Sequence, residues 1–259
     1  MSELAAYVFM MGNWWVAKHG FTATVIAPLW SISVEEQFYV VWPSARRFWS
    51  RNVATGLAVG TLALSFLVLA QQCRSGCDTD NAIWMNSFVQ FQFFALGALV
   101  ALLLHHRIPP MRSWLRPLCF AFGLGAMFCA QAVFKTKTGT SGGELRLILP
   151  GYFFVDVGCV AIFCSVLGSS RLARARPLIY LGKISYGLYV FHFPMILICT
   201  RFLYLMPRGA SVTTLLAVRA AFALLCSVVL AHLSYQYFES PVLRFKRRFE
   251  VIRTRPVEL

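Results

Sequence analysis

The chain has 259 residues, of which 58% are hydrophobic and 13% charged, and it carries a net charge of +14. That is too apolar for a water-soluble domain of this length to hide in a single core, so lipid must be the solvent for much of it. The positive charge does not signal nucleic acid, because the basic residues fall in short clusters between apolar runs, where the positive-inside rule places them.

The first apolar stretch, Leu4 to Val16, is too short to cross a hydrocarbon core of about 30 Å, which takes about 20 helical residues. It is no signal peptide, since the first basic residue, Lys18, follows the apolar run and no small-residue cleavage site comes after it. It reads as the tail of a longer helix, with residues expected upstream of Met1. Next comes Pro28 to Pro43, PLWSISVEEQFYVVWP. A helix is expected from Val34 to Trp49, amphipathic at its ends through Glu35, Glu36, Arg46 and Arg47. Ser33 followed by Val34, Glu35 and Glu36 has the form of a capping box, in which Ser33 caps the helix and Glu36 reaches back to the cap amide. Glu35 is harder to account for locally. A carboxylate beside Trp30, Phe38, Tyr39 and Trp42 at a membrane helix end is costly facing lipid, so it should face a cavity or a partner. Neighbouring helical residues point about 100° apart, so one glutamate can cap while the other lines a site.

Six runs then have spanning length: Val53 to Gln72, Phe88 to Leu104, Leu115 to Phe134, Leu147 to Leu167, Ile184 to Leu205 and Leu215 to Tyr235. With the Val34 helix they predict an all-α fold, a polytopic transmembrane bundle of about seven membrane helices. Every second loop is basic. Arg46, Arg47 and Arg51 mark one, Arg107, Arg112 and Arg116 the next, and Arg171, Arg174, Arg176 and Lys183 a third. The intervening loops hold Arg74 with Asp78 and Asp80, then Lys135, Lys137 and Arg146 with Glu144, then Arg208. This alternation expects a cytoplasmic C-terminus, with residues 242–259 as a basic tail at the membrane surface, and the loop from Cys73 to Ser87 outside. Six cysteines sit in apolar runs and pack as small hydrophobes. Cys73 and Cys77 share a loop as either a disulfide or two free thiols, and no accompanying ligands support a metal. No internal repeat, long linker or room for a soluble second domain is present.

Two late segments carry polar chemistry. In LGKISYGLYVFHFP, Leu181 to Pro194, His192 lies inside a span, either bonding a neighbouring helix or transferring a proton. Pro194 frees a carbonyl near Val190. In YQYFESP, Tyr235 to Pro241, Glu239 is expected to pair with Arg244 or another cation, or to end the helix in solvent. Asp156 is the remaining buried acid, with Arg201 and Arg219 as candidate partners.

The stretch WSISVEEQFYVVWP resembles the signature of the acyltransferase-3 family of membrane O-acyltransferases. LGKISYGLYVFHFP is similar to that family's later G-x-I-S-Y stretch, and FESPVLRF to its closing E-x-P motif. The resemblance spreads over almost the whole chain and implies one transmembrane acyltransferase-like domain over residues 1–259, corresponding to the C-terminal part of the family domain. Nothing before Trp30 matches the family's early catalytic histidine, and His19 lacks the surrounding pattern. The implied activity is transfer of an acyl group, usually acetyl, from acyl-CoA (acetyl-CoA) to a hydroxyl of a carbohydrate or glycolipid acceptor. The lipid bilayer is the solvent and partner, and neither nucleic acid nor a metal is implied. Residues carried over as catalytic are Glu35, Glu36 and His192, and as substrate-binding Trp30, Ser31, Ser33, Gln37, Tyr39 and Tyr186. The rivals are a proton-coupled secondary transporter using Glu35, Asp156 or His192 as a relay, against which the missing repeat weighs, and a noncatalytic membrane remnant.

Overall fold

The structure is a computed structural model that describes residues 2–22, 24–74, 83–104, 108, 110–136, 145–203 and 211–246. Cys77, Asp78, Asp80, Arg107, Lys137, Glu144, Arg208 and the tail from residue 247 lie outside the described residues. Among the described residues every regular element is a helix. The chain divides into two compact units, Met1–Ser169 and Ser170–Leu259.

The first unit contains α1 (Glu3–Val8), α2 (Gly12–His19), a 3₁₀ turn (Ala27–Leu29), α3 (Trp30–Phe48), α4 (Arg51–Arg74), α5 (Ser87–Leu104), α6 (Leu115–Ala132) and α7 (Leu145–Val166). The second contains α8 (Ser170–Ala173), α9 (Arg176–Lys183), α10 (Ser185–Leu203), α11 (Val212–Ser234), a π turn (Tyr235–Glu239) and α12 (Ser240–Lys246). By length and hydropathy α4, α5, α6, α7 and the helix continuing from α11 can each cross a membrane. A sixth crossing forms if α9 and α10, bent by 66° at their junction, count as one broken span. The protein is therefore a multi-pass, all-α membrane bundle. Helix α3, the seventh expected, is 19 residues long but carries Glu35, Glu36, Arg46 and Arg47, and it is not among the apolar spans.

In the first unit α4 pairs with α5 and α6 with α7, with α7 also touching α4 and α5. Leu69, Val89 and Tyr152 form a buried core there, and Phe93 stacks on Tyr152 at 6.2 Å. Without a hydrophobic drive between helices in lipid, close approach depends on small residues. Gly123 of α6 and Gly158 of α7 supply it, since a Cβ on Gly158 would lie 2.9 Å from the Gly123 carbonyl and 2.9 Å from Met127. Gly158→Leu is expected to push α6 off α7 and to lower stability by about 1–3 kcal/mol, the usual range for overpacking. Unfolding of the purified variant in detergent measures this, and a melt matching wild type would contradict the packing. Some of the basic residues also hold these pairs together. Arg51 at the start of α4 donates to the Leu102 carbonyl at 2.7 Å, and Arg116 at the start of α6 donates to the Ser165 and Leu167 carbonyls at 2.9 and 2.8 Å. Each satisfies carbonyls that the end of the partner helix leaves open.

Two sequence expectations are corrected. The opening stretch is no continuous helix. The Met11 N–H donates to the Ala6 carbonyl at 2.7 Å and the Met10 N–H to the Tyr7 carbonyl at 3.1 Å, which closes α1 in a Schellman motif. Met10 takes the left-handed position at φ 59°, so the usual glycine signal is missing. Nor is Ser33 an N-cap. The 3₁₀ turn with Pro28 runs directly into α3 at Trp30, so Ser33 lies inside the helix, 4% exposed, where its Oγ accepts the Gly12 N–H at 3.2 Å.

Candidate functional site

Seven of the expected site residues lie on α3. Trp30, Ser33 and Gln37 recur at helical spacing and turn one face toward protein. The Trp30 ring meets Trp84 edge-on at 6.2 Å, and Ser33 takes the Gly12 amide. Gln37 closes a polar ring across three helices. Its Nε2 donates to the Asn13 Oδ1 at 3.1 Å and to the Met10 carbonyl at 2.5 Å, while its Oε1 accepts from the Ser87 Oγ at 2.5 Å. Asn13, 0% exposed, completes the ring by donating to the Ser87 Oγ at 2.9 Å and to the Met85 carbonyl at 2.8 Å. A network of this kind, buried at Asn13 and Ser87 and half-buried at Gln37, fixes the rotation of α3 against α2 and α5. Asn13 and Ser87 were missed by sequence reasoning, although an asparagine inside the apolar run from Leu4 to Val16 is itself a signal.

The rotation so fixed leaves Ser31, Glu35 and Glu36 half-buried and Tyr39 52% exposed. Phe38 stacks on Trp42 at 5.6 Å and on Phe94 of α5 at 5.0 Å, and Tyr39 meets Phe94 edge-on at 6.4 Å. Glu35 thus stands one turn before an aromatic platform. Among the described residues neither Glu35 nor Glu36 has a hydrogen-bond partner or a cation. Burial raises the Glu35 carboxyl above its ordinary value, and the adjacent charge of Glu36 adds to the rise. Tyr39 is raised as well, by burial first and then by Glu35 and Glu36. The pair can therefore accept a proton from a hydroxyl without a basic residue to quench it.

The remaining two expected residues belong to the second unit. Tyr186 sits in the first turn of α10 and is 58% exposed. His192, farther along α10, uses Nδ1 as a donor to the Tyr189 carbonyl at 2.5 Å. A carbonyl can only accept, so the proton is on Nδ1 and a neutral ring keeps its lone pair on Nε2. Helix α10 continues through Pro194 to Leu203. His192 also lines a cleft of about 480 Å³ between α10 and α11, together with Arg219 and Ser227. The Tyr180 hydroxyl of α9 and His232 Nδ1 of α11 share a hydrogen bond, a contact that sequence reasoning missed although His232 lies in an apolar run as His192 does. The expected pairing of Glu239 with Arg244 is not found. Glu239 accepts from the Ser234 Oγ at 3.3 Å across the π turn, and the Arg244 Nε donates to the Ser240 carbonyl at 3.4 Å. In the first unit Asp156, 6% exposed, has one carboxylate oxygen without a partner.

A family described as an acyltransferase domain matches residues 2–234 of the chain. O-acetyltransferase OatA of Staphylococcus aureus is 24% identical over 261 residues, an alignment covering 93% of this chain and 41% of that protein. Peptidoglycan O-acetyltransferase OatA of Listeria monocytogenes is 23% identical over 93% of this chain and 40% of its own length. The putative peptidoglycan O-acetyltransferase YrhL of Bacillus subtilis is 27% identical over 91% and 38% respectively. The chain therefore spans about two-fifths of the length of the curated relatives it matches. No solved structure matches it.

Proposed function

The chain belongs to the acyltransferase-3 family, and from that membership we propose that it takes part in O-acylation of a cell-envelope carbohydrate, moving an acetyl group from acetyl-CoA to a sugar hydroxyl. The observation that carries this reading is the signature helix α3, which lies inside the matched region and presents Glu35 and Glu36 without a cation partner beside an aromatic platform. The names of the Listeria and Bacillus relatives make a peptidoglycan-type glycan the favoured acceptor.

In this proposal Glu35 removes the proton of the acceptor hydroxyl as its oxygen bonds to the thioester carbonyl carbon. The carbon–sulfur bond then breaks, and coenzyme A leaves as a thiolate that takes up a proton. A carboxyl raised above its ordinary value suits this exchange better than an ordinary surface glutamate, because its ionised form is the stronger base. Trp30, Ser33 and Gln37 hold α3 in place. Tyr39 and Ser31 are assigned to the acceptor, since exposed aromatic rings offer an apolar face to a sugar. His192 and Tyr186 are assigned separate substrate-orienting roles in their own unit. The arginines of the basic loops suit a phosphate-bearing donor, and the basic alternation supports a cytoplasmic side for these loops and the C-terminus.

Expression of the chain in bacteria that lack envelope O-acetylation is expected to add alkali-labile acetyl esters to an envelope glycan, detected by mass spectrometry of released saccharides. If the protein is inserted in the membrane and no glycan gains the ester, the proposal fails for this chain.

A further inference from the structure

Helices α10 and α11 pack as an antiparallel pair that is tight at one end and open toward the other. At the tight end Gly187 lies against Ala231, where a Cβ on the glycine would be 3.0 Å from the alanine Cα. Toward the open end the two helices leave the 480 Å³ cleft, within the range of ligand cavities. Its walls are apolar, with Leu188 and Ile196 on one side and Leu216 and Leu224 on the other. Two of its polar side chains make hydrogen bonds within their own helices. The Ser227 Oγ donates to the Ala223 carbonyl at 2.7 Å, and the His192 Nδ1 donates to the Tyr189 carbonyl.

Arg219 is different. Among the described residues it has neither a carboxylate nor a hydrogen-bond partner, although it sits well inside a helix long and apolar enough to span the membrane. A guanidinium in such a place needs an anion. At 1.5 Å per residue Arg219 lies about 10 Å from the Val212 end of α11, and helical Cα–Cβ bonds tilt toward the N-terminus, so its side chain leans toward that end. The cation thus reaches for one membrane surface, while the apolar walls run from it toward the bilayer interior and His192.

We propose that this cleft binds one anionic phospholipid of the surrounding bilayer, with the lipid phosphate on Arg219 and one acyl chain lying between the Leu216–Leu224 and Leu188–Ile196 walls. The match is one of charge and polarity. A phosphodiester accepts two hydrogen bonds from a planar guanidinium, and a hydrocarbon chain fills walls that are largely apolar. The proposal does not rest on the acyl-transfer reading.

The test uses the full chain purified in neutral detergent and offered equimolar phosphatidylglycerol and phosphatidylcholine, with retained lipid counted by native mass spectrometry. Wild type is expected to keep one phosphatidylglycerol with at least a tenfold preference. Arg219→Gln should lower that preference to near unity, and Arg219→Lys should keep part of it. Leu224→Trp leaves the charge in place and fills the cleft, so it should lower retention of both lipids. Equal retention of the two lipids by wild type, or unchanged preference in Arg219→Gln, would overturn the proposal. So would preferential capture of an added isoprenoid phosphate with no phosphatidylglycerol retained, which would give the cleft a different occupant.

Discussion

Glu35→Gln is expected to lower acyl transfer at least ~100-fold, the lower bound for losing a general base, while leaving membrane insertion and helix content unchanged. The substitution keeps the shape of the side chain and removes its negative charge and its ability to take a proton. Stability separates this role from a structural one. A carboxyl whose pKa is higher in the folded protein than in the unfolded chain stabilises the fold below its unfolded pKa, and that contribution disappears as pH rises through the folded value. At neutral pH the uncharged glutamine should therefore melt no lower than wild type. Activity has the opposite dependence, because the reaction needs the ionised form. Transfer by wild type should fall as pH is lowered through the raised value, and the residual activity of Glu35→Gln should lack that limb. A variant that is inactive and also less stable would assign Glu35 to the fold instead.

Asn13→Ala is the second substitution with a large expected effect. It removes a fully buried amide and leaves the Gln37 amide, the Ser87 hydroxyl and the Met85 carbonyl each short of a partner. Stranding buried polar groups costs about 1–3 kcal/mol each, and allowing for partial relaxation the expected loss is about 3 kcal/mol. Because the ring fixes the rotation of α3, transfer should fall as well, with the acceptor KM affected along with kcat. A double-mutant cycle with Gln37→Ala should show coupling of about 1 kcal/mol or more. Strict additivity would mean that the ring does not act as a unit.

The spans were legible because a run such as Leu215 to Tyr235 has no other stable use in water, and α11 matches it nearly end to end. The signature helix and the late histidine were legible as motifs. What escaped was set by contacts distant in sequence. Ser33 followed by Glu36 satisfied a local rule, yet the Pro28 turn began α3 earlier and gave the Ser33 hydroxyl to Gly12 instead. The break at Met10 was hidden because a methionine, not a glycine, takes the left-handed turn. Gln37 was read as facing substrate, while every group on its amide is engaged by Met10, Asn13 and Ser87, the last of them far along the chain. Arg51 and Arg116 were read only as topology signals, yet they also close the carbonyl ends of neighbouring helices. No periodicity or spacing encodes such pairings, since they exist only once the helices have packed.

The central claim is acyl transfer through α3, and the most direct measurement is release of free coenzyme A together with label on glycan when the purified chain in liposomes meets labelled acetyl-CoA and peptidoglycan fragments. The account predicts equal amounts of thiol and esterified label for wild type and at least ~100-fold less of both for Glu35→Gln. Thiol release without esterified glycan, or equal transfer by both proteins, would contradict it.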